Sequence, residues 1–228
     1  MLWPAIAAWR AAPSAAPSSA SATHSSDPAD FLLENLKIQT HVIETAWRSG
    51  VRRLLFLGSS CIDPKVAGIK LCEALRLQHG FDAISLMPTN LYGPGDNYHL
   101  NNSHVLPALI RRFHEAAEAK APSVTCWGTG SPLREFLHVD DLGEACVFAL
   151  EHWSQAPGEL TYLNVATATG YQGTIEWNRS KPDGTPKKQL DVSSLATLGW
   201  RARIPLAEGL ASTVALFREE LAQQLVRL

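Results

Sequence analysis

The segment Leu54–Cys61 (Leu-Leu-Phe-Leu-Gly-Ser-Ser-Cys) constrains the fold of this chain more than any other. A short apolar run that ends abruptly in glycine and polar residues predicts a buried parallel strand. In open α/β sheets, ligands bind at the carboxyl ends of the strands. Ser59, Ser60 and Cys61 therefore mark a candidate site. Two interpretations remain open: hydroxyls and backbone N–H groups that hold a cofactor or sugar beside an acid/base thiol, or a Gly-Ser turn with a half-buried cysteine.

Helices and strands alternate around this segment. The pattern predicts a helix from Asp27-Pro28 to Gly50, strand Arg53–Leu57, helix Val66–Gln78 and strand Ala83–Met87. Two consecutive helix–strand units predict an α/β fold with a parallel sheet and right-handed crossovers.

The second half of the chain has a different pattern of predicted elements, with shorter strands and longer loops. The predicted elements are a loop Leu91–Ser103, a helix His104–Ala119 capped by Ser103, strands Val124–Trp127 and Glu135–His138, a helix Asp140–Glu151 capped by Asp140, strands Thr161–Val165 and Tyr171–Trp177, a loop Ser180–Lys187 and a helix Leu206–Leu228.

Composition limits the classes of partner. With 228 residues, 46% of them hydrophobic, the chain can bury a sizeable core. A net charge of −2 gives no electrostatic basis for binding nucleic acid. No apolar run reaches the roughly 20 residues of a membrane-spanning helix, so no membrane partner is expected.

The first 26 residues are rich in Ala, Ser and Pro, with Arg10 and no acidic residue before Asp27. This composition predicts a disordered start, with an organelle transit peptide as the alternative. Cys72, Cys126 and Cys146 lie in apolar sequence without metal-ligand spacing, which indicates reduced thiols of a cytoplasmic protein.

Three candidate basic residues lie on the predicted helix that starts at His104. A helix N-terminus favours a neutral imidazole, which suits a general acid or base near neutral pH; a lone surface histidine is the alternative. Arg111 and Arg112 follow on the same helix, where one can pair with phosphates or both can face solvent.

An aromatic plane and a guanidinium fall close together at Trp127 and Arg134, on either side of a Gly-x-Gly turn. This pairing suits a nucleotide sugar, through stacking and bidentate phosphate contact. The turn Lys181–Gly184 is either a cover for the same ligand or simply a turn.

Several of these strings together resemble the GDP-L-fucose synthases, a family within the extended short-chain dehydrogenase/reductase superfamily. The resemblance extends from about Pro28 to the C-terminus. The matching strings are Phe56–Ile62, Met87–Pro94, Asn102–Val105, Arg111–Glu115, Trp127–Gly130, Arg134–Asp141 and Ser180–Pro186.

The resemblance implies an NAD(P)-binding Rossmann part at about residues 27–100 and a smaller, interleaved C-terminal sugar-nucleotide lobe at about 101–228. It implies NADP(H)-dependent 3,5-epimerisation and 4-reduction of GDP-4-keto-6-deoxy-D-mannose to GDP-L-fucose. It also implies a GDP-sugar as the bound partner and a homodimer in the cytoplasm.

Site residues follow from the same resemblance by position. The implied catalytic residues are Cys61 and His104, which exchange protons at C3 and C5, with Ser59 and Lys65. The implied cofactor-binding residues are Leu57, Gly58, Ser59, Ser60, Lys65, Pro88, Thr89, Asn90, Leu91 and His104. The implied substrate-binding residues are Arg112, Trp127, Arg134 and Asp183.

The chain departs from the family in three places. It contains no Gly-x-x-Gly-x-x-Gly, so the Rossmann fold is expected to be incomplete. No Tyr-x-x-x-Lys follows Cys61, so Lys65 aligns either with the catalytic lysine or with a lysine just after the cysteine. A further strand-end loop and helix are missing between Ala168 and Tyr171. The reduction is therefore expected to be impaired, and a non-catalytic GDP-sugar-binding or regulatory paralogue and an epimerase-only remnant are the alternatives.

Overall fold

The computed structural model describes residues 28–59, 63–99, 103–127, 129, 131, 133–154, 162–165, 176–178 and 187–226. In chain order the elements are α1 (Pro28–Arg48), β1 (Arg53–Leu57), α2 (Asp63–His79), β2 (Asp82–Pro88), β3 (Asn90–Tyr92), α3 (Val105–Glu118), β4 (Thr125–Trp127), β5 (Leu133–Arg134), β6 (Phe136–His138), α4 (Val139–His152), β7 (Leu163–Val165), β8 (Glu176–Asn178), β9 (Lys187–Lys188), α5 (Ser193–Thr197) and α6 (Leu206–Ala222).

The chain divides into two compact units that alternate along the sequence. The first unit comprises Met1–Thr89, Leu142–Val165 and Asp191–Arg201. The second comprises Asn90–Asp141, Ala166–Leu190 and Ala202–Leu228.

The first unit contains a parallel sheet with the strand order β1-β2-β7 in the described part of the chain. Leu57 pairs with Leu86 where β1 meets β2, and Leu86 pairs with Leu163 where β2 meets β7. Parallel neighbours joined through the helix α2 form the predicted crossover unit. The α/β class with a parallel sheet is confirmed.

Helices α1 and α2 pack on this sheet through a small-residue contact. A Cβ on Gly68 of α2 would lie 2.5 Å from Cζ of Phe56 and 3.0 Å from Oε1 of Gln39. Only a glycine allows α2 to approach β1 and α1 so closely. The core cluster beneath comprises Ile43, Ala46, Leu54, Phe56, Ile69, Cys72, Leu75, Phe81, Ala83 and Met87.

Three short parallel strand pairs organise the second unit: β3 with β6, β4 with β8, and β5 with β9. Its apolar core contains Tyr98 and Phe217, whose ring centroids are 4.4 Å apart, with Ile110 of α3 beside them. The buried Asp141 carboxylate accepts the N–H groups of Arg203 and Ile204, each at 3.0 Å. This carboxylate therefore ties the start of α4 to the segment that enters α6.

Local details differ from the sequence predictions. The loop predicted at Leu91–Ser103 begins inside strand β3, and α3 starts at Val105 with His104 as its N-cap. Ser103 is therefore not the cap, and no side-chain hydrogen bond closes this helix end. Helix α4 starts one residue before Asp140, which lies in the first turn and is not the cap.

The three described cysteines are free thiols, with Cys72 and Cys126 buried and Cys146 half-buried, as predicted. Burial raises the pKa of the Cys72 thiol to about 12 and that of Cys146 to about 11. None of the described helices has the length and apolar character required to cross a bilayer.

Candidate functional site

The end of β1 and the end of β2 lie side by side at one edge of the first unit's sheet. The Gly58 N–H donates to the Leu86 carbonyl at 2.8 Å, so the pairing continues one residue beyond β1. Because β1 and β2 are parallel, Ser59 and Thr89 follow their strands at the same edge. The structure thus places five predicted cofactor residues of this unit at one sheet edge: Leu57, Gly58, Ser59, Pro88 and Thr89.

This edge combines apolar and hydroxyl side chains. Leu57 is 39% exposed, although it ends a strand whose Leu54 and Phe56 are buried. The half-buried Ser59 follows it, and Thr89 is buried at the end of β2. An open apolar side chain beside hydroxyls can border the ring and ribose of a nucleotide.

Lys65 lies in the first turn of α2, the helix that follows β1 in the chain. Its ammonium is 5.7 Å from the centroid of the Phe56 ring, a cation–π contact. Burial lowers the pKa of Lys65 because the charged form loses water. The position is close in sequence to the edge, but its described contact is with the sheet face.

Four predicted site residues cannot be placed in full. Ser60, Cys61 and Asp183 lie outside the described residues, and Trp127 is described only as part of β4. Their roles stay predictions from the sequence.

Asn90 and Leu91, predicted to contact the cofactor, belong to β3 of the second unit. They pair with Phe136 and Leu137 of β6. The Asn90 side-chain N–H donates to the Glu135 carbonyl at 3.0 Å. Asn90 therefore has a structural role in the strand pair, which the sequence did not reveal.

His104 is the exposed N-cap residue of α3, in an extended conformation with φ −68° and ψ 167°. The Asp96 carboxyl interacts electrostatically with the His104 side chain. Desolvation raises the pKa of the Asp96 carboxyl, while a hydrogen bond from the Asn97 N–H and the charge of His104 oppose that rise. Asp96 was not among the predicted site residues, and its turn sequence gave no reason to select it.

The two predicted phosphate-binding arginines each donate a hydrogen bond to a main-chain carbonyl of a strand in the second unit. Arg112 of α3 donates from Nη1 to the Thr125 carbonyl at 3.0 Å. Arg134 donates from Nη1 to the Leu133 carbonyl at 2.9 Å. The first bond joins Arg112 to β4, whereas the second lies within β5, the strand that contains Arg134.

Glu135 is a buried carboxylate that the sequence analysis missed. Its Oε2 accepts the N–H of Leu190 at 2.8 Å, and the residue is 6% exposed. The signal in the sequence was its place in the predicted strand Glu135–His138, where a period of two puts it on the same face as Leu137.

Comparison with known families agrees with this geometry. The sequence profile described as the NAD dependent epimerase/dehydratase family matches residues 12–66 and 63–166. The two matched segments overlap at residues 63–66, where the expected Tyr-x-x-x-Lys is missing. The chain thus matches the family on both sides of that point.

Curated relatives carry a narrower name. The chain is 49% identical over 235 residues to a probable GDP-L-fucose synthase 1 of Oryza sativa subsp. japonica. This alignment covers 86% of this chain and 72% of the rice protein. It is 51% identical over 224 residues to GDP-L-fucose synthase 1 of Arabidopsis thaliana, an alignment that covers 82% of this chain and 69% of the Arabidopsis protein. Since 86% of the 228-residue chain is only about 196 residues, the 235-residue rice alignment opens gaps within this chain.

A solved structure shares the fold. A GDP-6-OMe-4-keto-L-xylo-heptose reductase from C. jejuni matches with a TM-score of 0.76 and 27% identity, over 91% of this chain and 80% of that one. Sequence, strand-end geometry and fold therefore agree, and the chain belongs to the NAD dependent epimerase/dehydratase family and, within it, to the GDP-L-fucose synthases.

Proposed function

We propose that this chain acts on GDP-4-keto-6-deoxy-D-mannose as a GDP-L-fucose synthase whose reductive step is impaired. The observation that carries the proposal is the identity of about one half to two plant GDP-L-fucose synthases over most of the chain. The open strand-end edge of the first unit and the two anchored arginines of the second supply suitable chemistry.

Epimerisation requires a base and an acid at C3 and C5, whose protons the 4-keto group acidifies. His104 suits proton exchange because it is exposed and stands at a helix N-terminus. Cys61 is proposed as its partner on the opposite face of the sugar.

NADP(H) would supply the hydride that reduces C4. Leu57, Ser59 and Thr89 would border its nicotinamide and ribose, since they offer an apolar wall and hydroxyls at one sheet edge. The sequence lacks the glycine-rich turn that seats a pyrophosphate on a helix N-terminus, so the fit is partial.

The GDP-sugar diphosphate is assigned to Arg112 and Arg134, since guanidinium groups match phosphate geometry. Trp127 and Asp183 are proposed to contact the nucleotide and sugar.

The resemblance implies that a tyrosine four residues before the catalytic lysine protonates the alkoxide formed at C4. Four residues before Lys65 stands Cys61, so reduction is proposed to be impaired. Loss of a proton donor typically lowers a rate by about 10²–10⁴-fold. Lys65 alone cannot replace it, since its described contact is with the Phe56 ring.

A single experiment separates the alternatives. The purified chain is incubated with the 4-keto sugar nucleotide and NADPH in D₂O, while absorbance and sugar mass are recorded. Deuterium at C3 and C5 without NADPH oxidation is the expected result. Oxidation at the rate of an intact relative would contradict the impairment, and GDP-sugar binding without exchange would indicate a non-catalytic paralogue.

The proposed assembly is a cytoplasmic homodimer. Helices α1 and α2 both display large apolar side chains to solvent: Leu32, Leu33 and Ile38 on α1, and Val66 and Leu77 on α2. Large apolar side chains exposed on two helices of one unit can take part in association with a second copy.

A further inference from the structure

We propose that Glu135 is a positioning residue that holds Arg134 ready for the substrate diphosphate. The inference rests on the proposed function in one respect, the assignment of Arg134 to the diphosphate. Glu135 itself does not touch the ligand in this proposal.

Glu135 joins three segments of the second unit. Its carboxylate accepts the Leu190 N–H at 2.8 Å, just beyond strand β9. Its main-chain carbonyl accepts the Asn90 side chain at 3.0 Å, at the start of β3. It stands between β5 and β6, so one residue fixes three backbone segments.

The side chain of Arg134 points to the face opposite that of Glu135. Arg134 pairs with Lys188 in the β5–β9 ladder, one residue before Glu135. Successive side chains of extended backbone point to opposite faces. A buried, bonded Glu135 therefore leaves the half-buried Arg134 on the opposite face, where its Nη1 also bonds the Leu133 carbonyl.

A buried carboxylate costs desolvation unless it is hydrogen-bonded. The hydrogen bond from the Leu190 N–H offsets part of that cost, and an apolar side chain at position 135 could not accept this bond. Removing the carboxylate is expected to loosen the β5–β9 ladder and release Arg134 from its orientation.

The test measures GDP binding by calorimetry, because GDP carries the diphosphate and no reduction is needed. Glu135→Ala is expected to raise the Kd for GDP about tenfold. Glu135→Gln, which keeps an acceptor oxygen for Leu190, is expected to stay within about threefold of the unaltered protein. Glu118→Ala, an exposed glutamate of α3, is the matched control and should not change the Kd.

Leu190→Pro removes the donor N–H while leaving Glu135 in place, and it should weaken GDP binding like Glu135→Ala. This variant keeps the proposal testable if Glu135→Ala fails to fold. A lowered Tm with unchanged GDP affinity in both variants would overturn the positioning role. Failure of the unaltered protein to bind GDP would instead contradict the proposed function.

Discussion

At the scale of single residues, the Asp141 carboxylate is a contact whose strength can be measured. It bonds two consecutive backbone N–H groups, of Arg203 and Ile204, and it is fully buried. Replacement with asparagine leaves one acceptor oxygen and turns an NH₂ group toward the other N–H. A buried donor without an acceptor costs about 1–3 kcal/mol.

We therefore expect Asp141→Asn to lower the free energy of unfolding in urea by about 1–3 kcal/mol. Asp140→Asn is the matched control, because the neighbouring carboxylate is exposed and should change stability by less than about 0.5 kcal/mol. Equal losses in both variants would contradict the role of the two N–H bonds.

The buried thiol of Cys72 predicts a pH dependence of stability. Desolvation raises its pKa from 9.0 to about 12, while the neighbouring Ser85 hydroxyl and the charge of Arg76 act in the opposite direction. The folded protein keeps the proton that the unfolded chain releases above pH 9. The stability contribution is thus complete below pH 9 and is lost as the pH rises toward 12.

Cys72→Ala removes this titration. Between pH 9.5 and 10.5 the unaltered protein should lose up to about 1.4 kcal/mol per pH unit more than the variant. Urea unfolding at several pH values measures both slopes. Parallel slopes would show that the thiol does not retain its proton in the folded state.

At the scale of helices and strands, the sequence predicted most of the longer elements to within three residues, but α6 ends at Ala222 and not at the predicted Leu228. Strand β1 has the predicted bounds, and α1 and β2 end within two residues of theirs. The strands β3, β5 and β9 were missed because two or three residues carry no local periodicity. Their pairing partners are distant in sequence, as when Asn90–Tyr92 joins Phe136–His138. Glu135 lies in a predicted strand, but its buried acceptor role was missed because that role depends on Leu190, which is distant in sequence.

Packing of α2 on the sheet predicts a steric effect at Gly68. An added methyl group would overlap the Phe56 ring at 2.5 Å, so Gly68→Ala should destabilise the protein by about 1–3 kcal/mol. In contrast, nothing lies within 4 Å of a Cβ on Gly143 of α4. Gly143→Ala should therefore be neutral or stabilise by up to about 1 kcal/mol, because alanine favours helices. Thermal unfolding of the two variants tests the contrast, and a stable Gly68→Ala protein would contradict the close approach.

At the scale of the whole molecule, the proposed homodimer predicts an effect of charge on α1. Leu33 is 50% exposed on that helix. Leu33→Glu should convert a dimer to a monomer, as measured by light scattering after size exclusion. Leu198→Glu, an exposed leucine of the first unit outside α1 and α2, should leave the dimer intact. A monomeric unaltered protein would contradict the proposed assembly.

The interleaving of the two units has a consequence for synthesis on the ribosome. The first unit needs β7 at Leu163–Val165 to complete the described sheet, and it also includes α5 at Ser193–Thr197. The second unit needs α6, which ends at Ala222. Neither unit can complete its fold until most of the chain has been translated. Domains that are continuous in sequence, in contrast, can fold one after the other during synthesis. The nascent chain must therefore keep the apolar faces of α1 and β1 from aggregating until the last quarter of the protein has emerged.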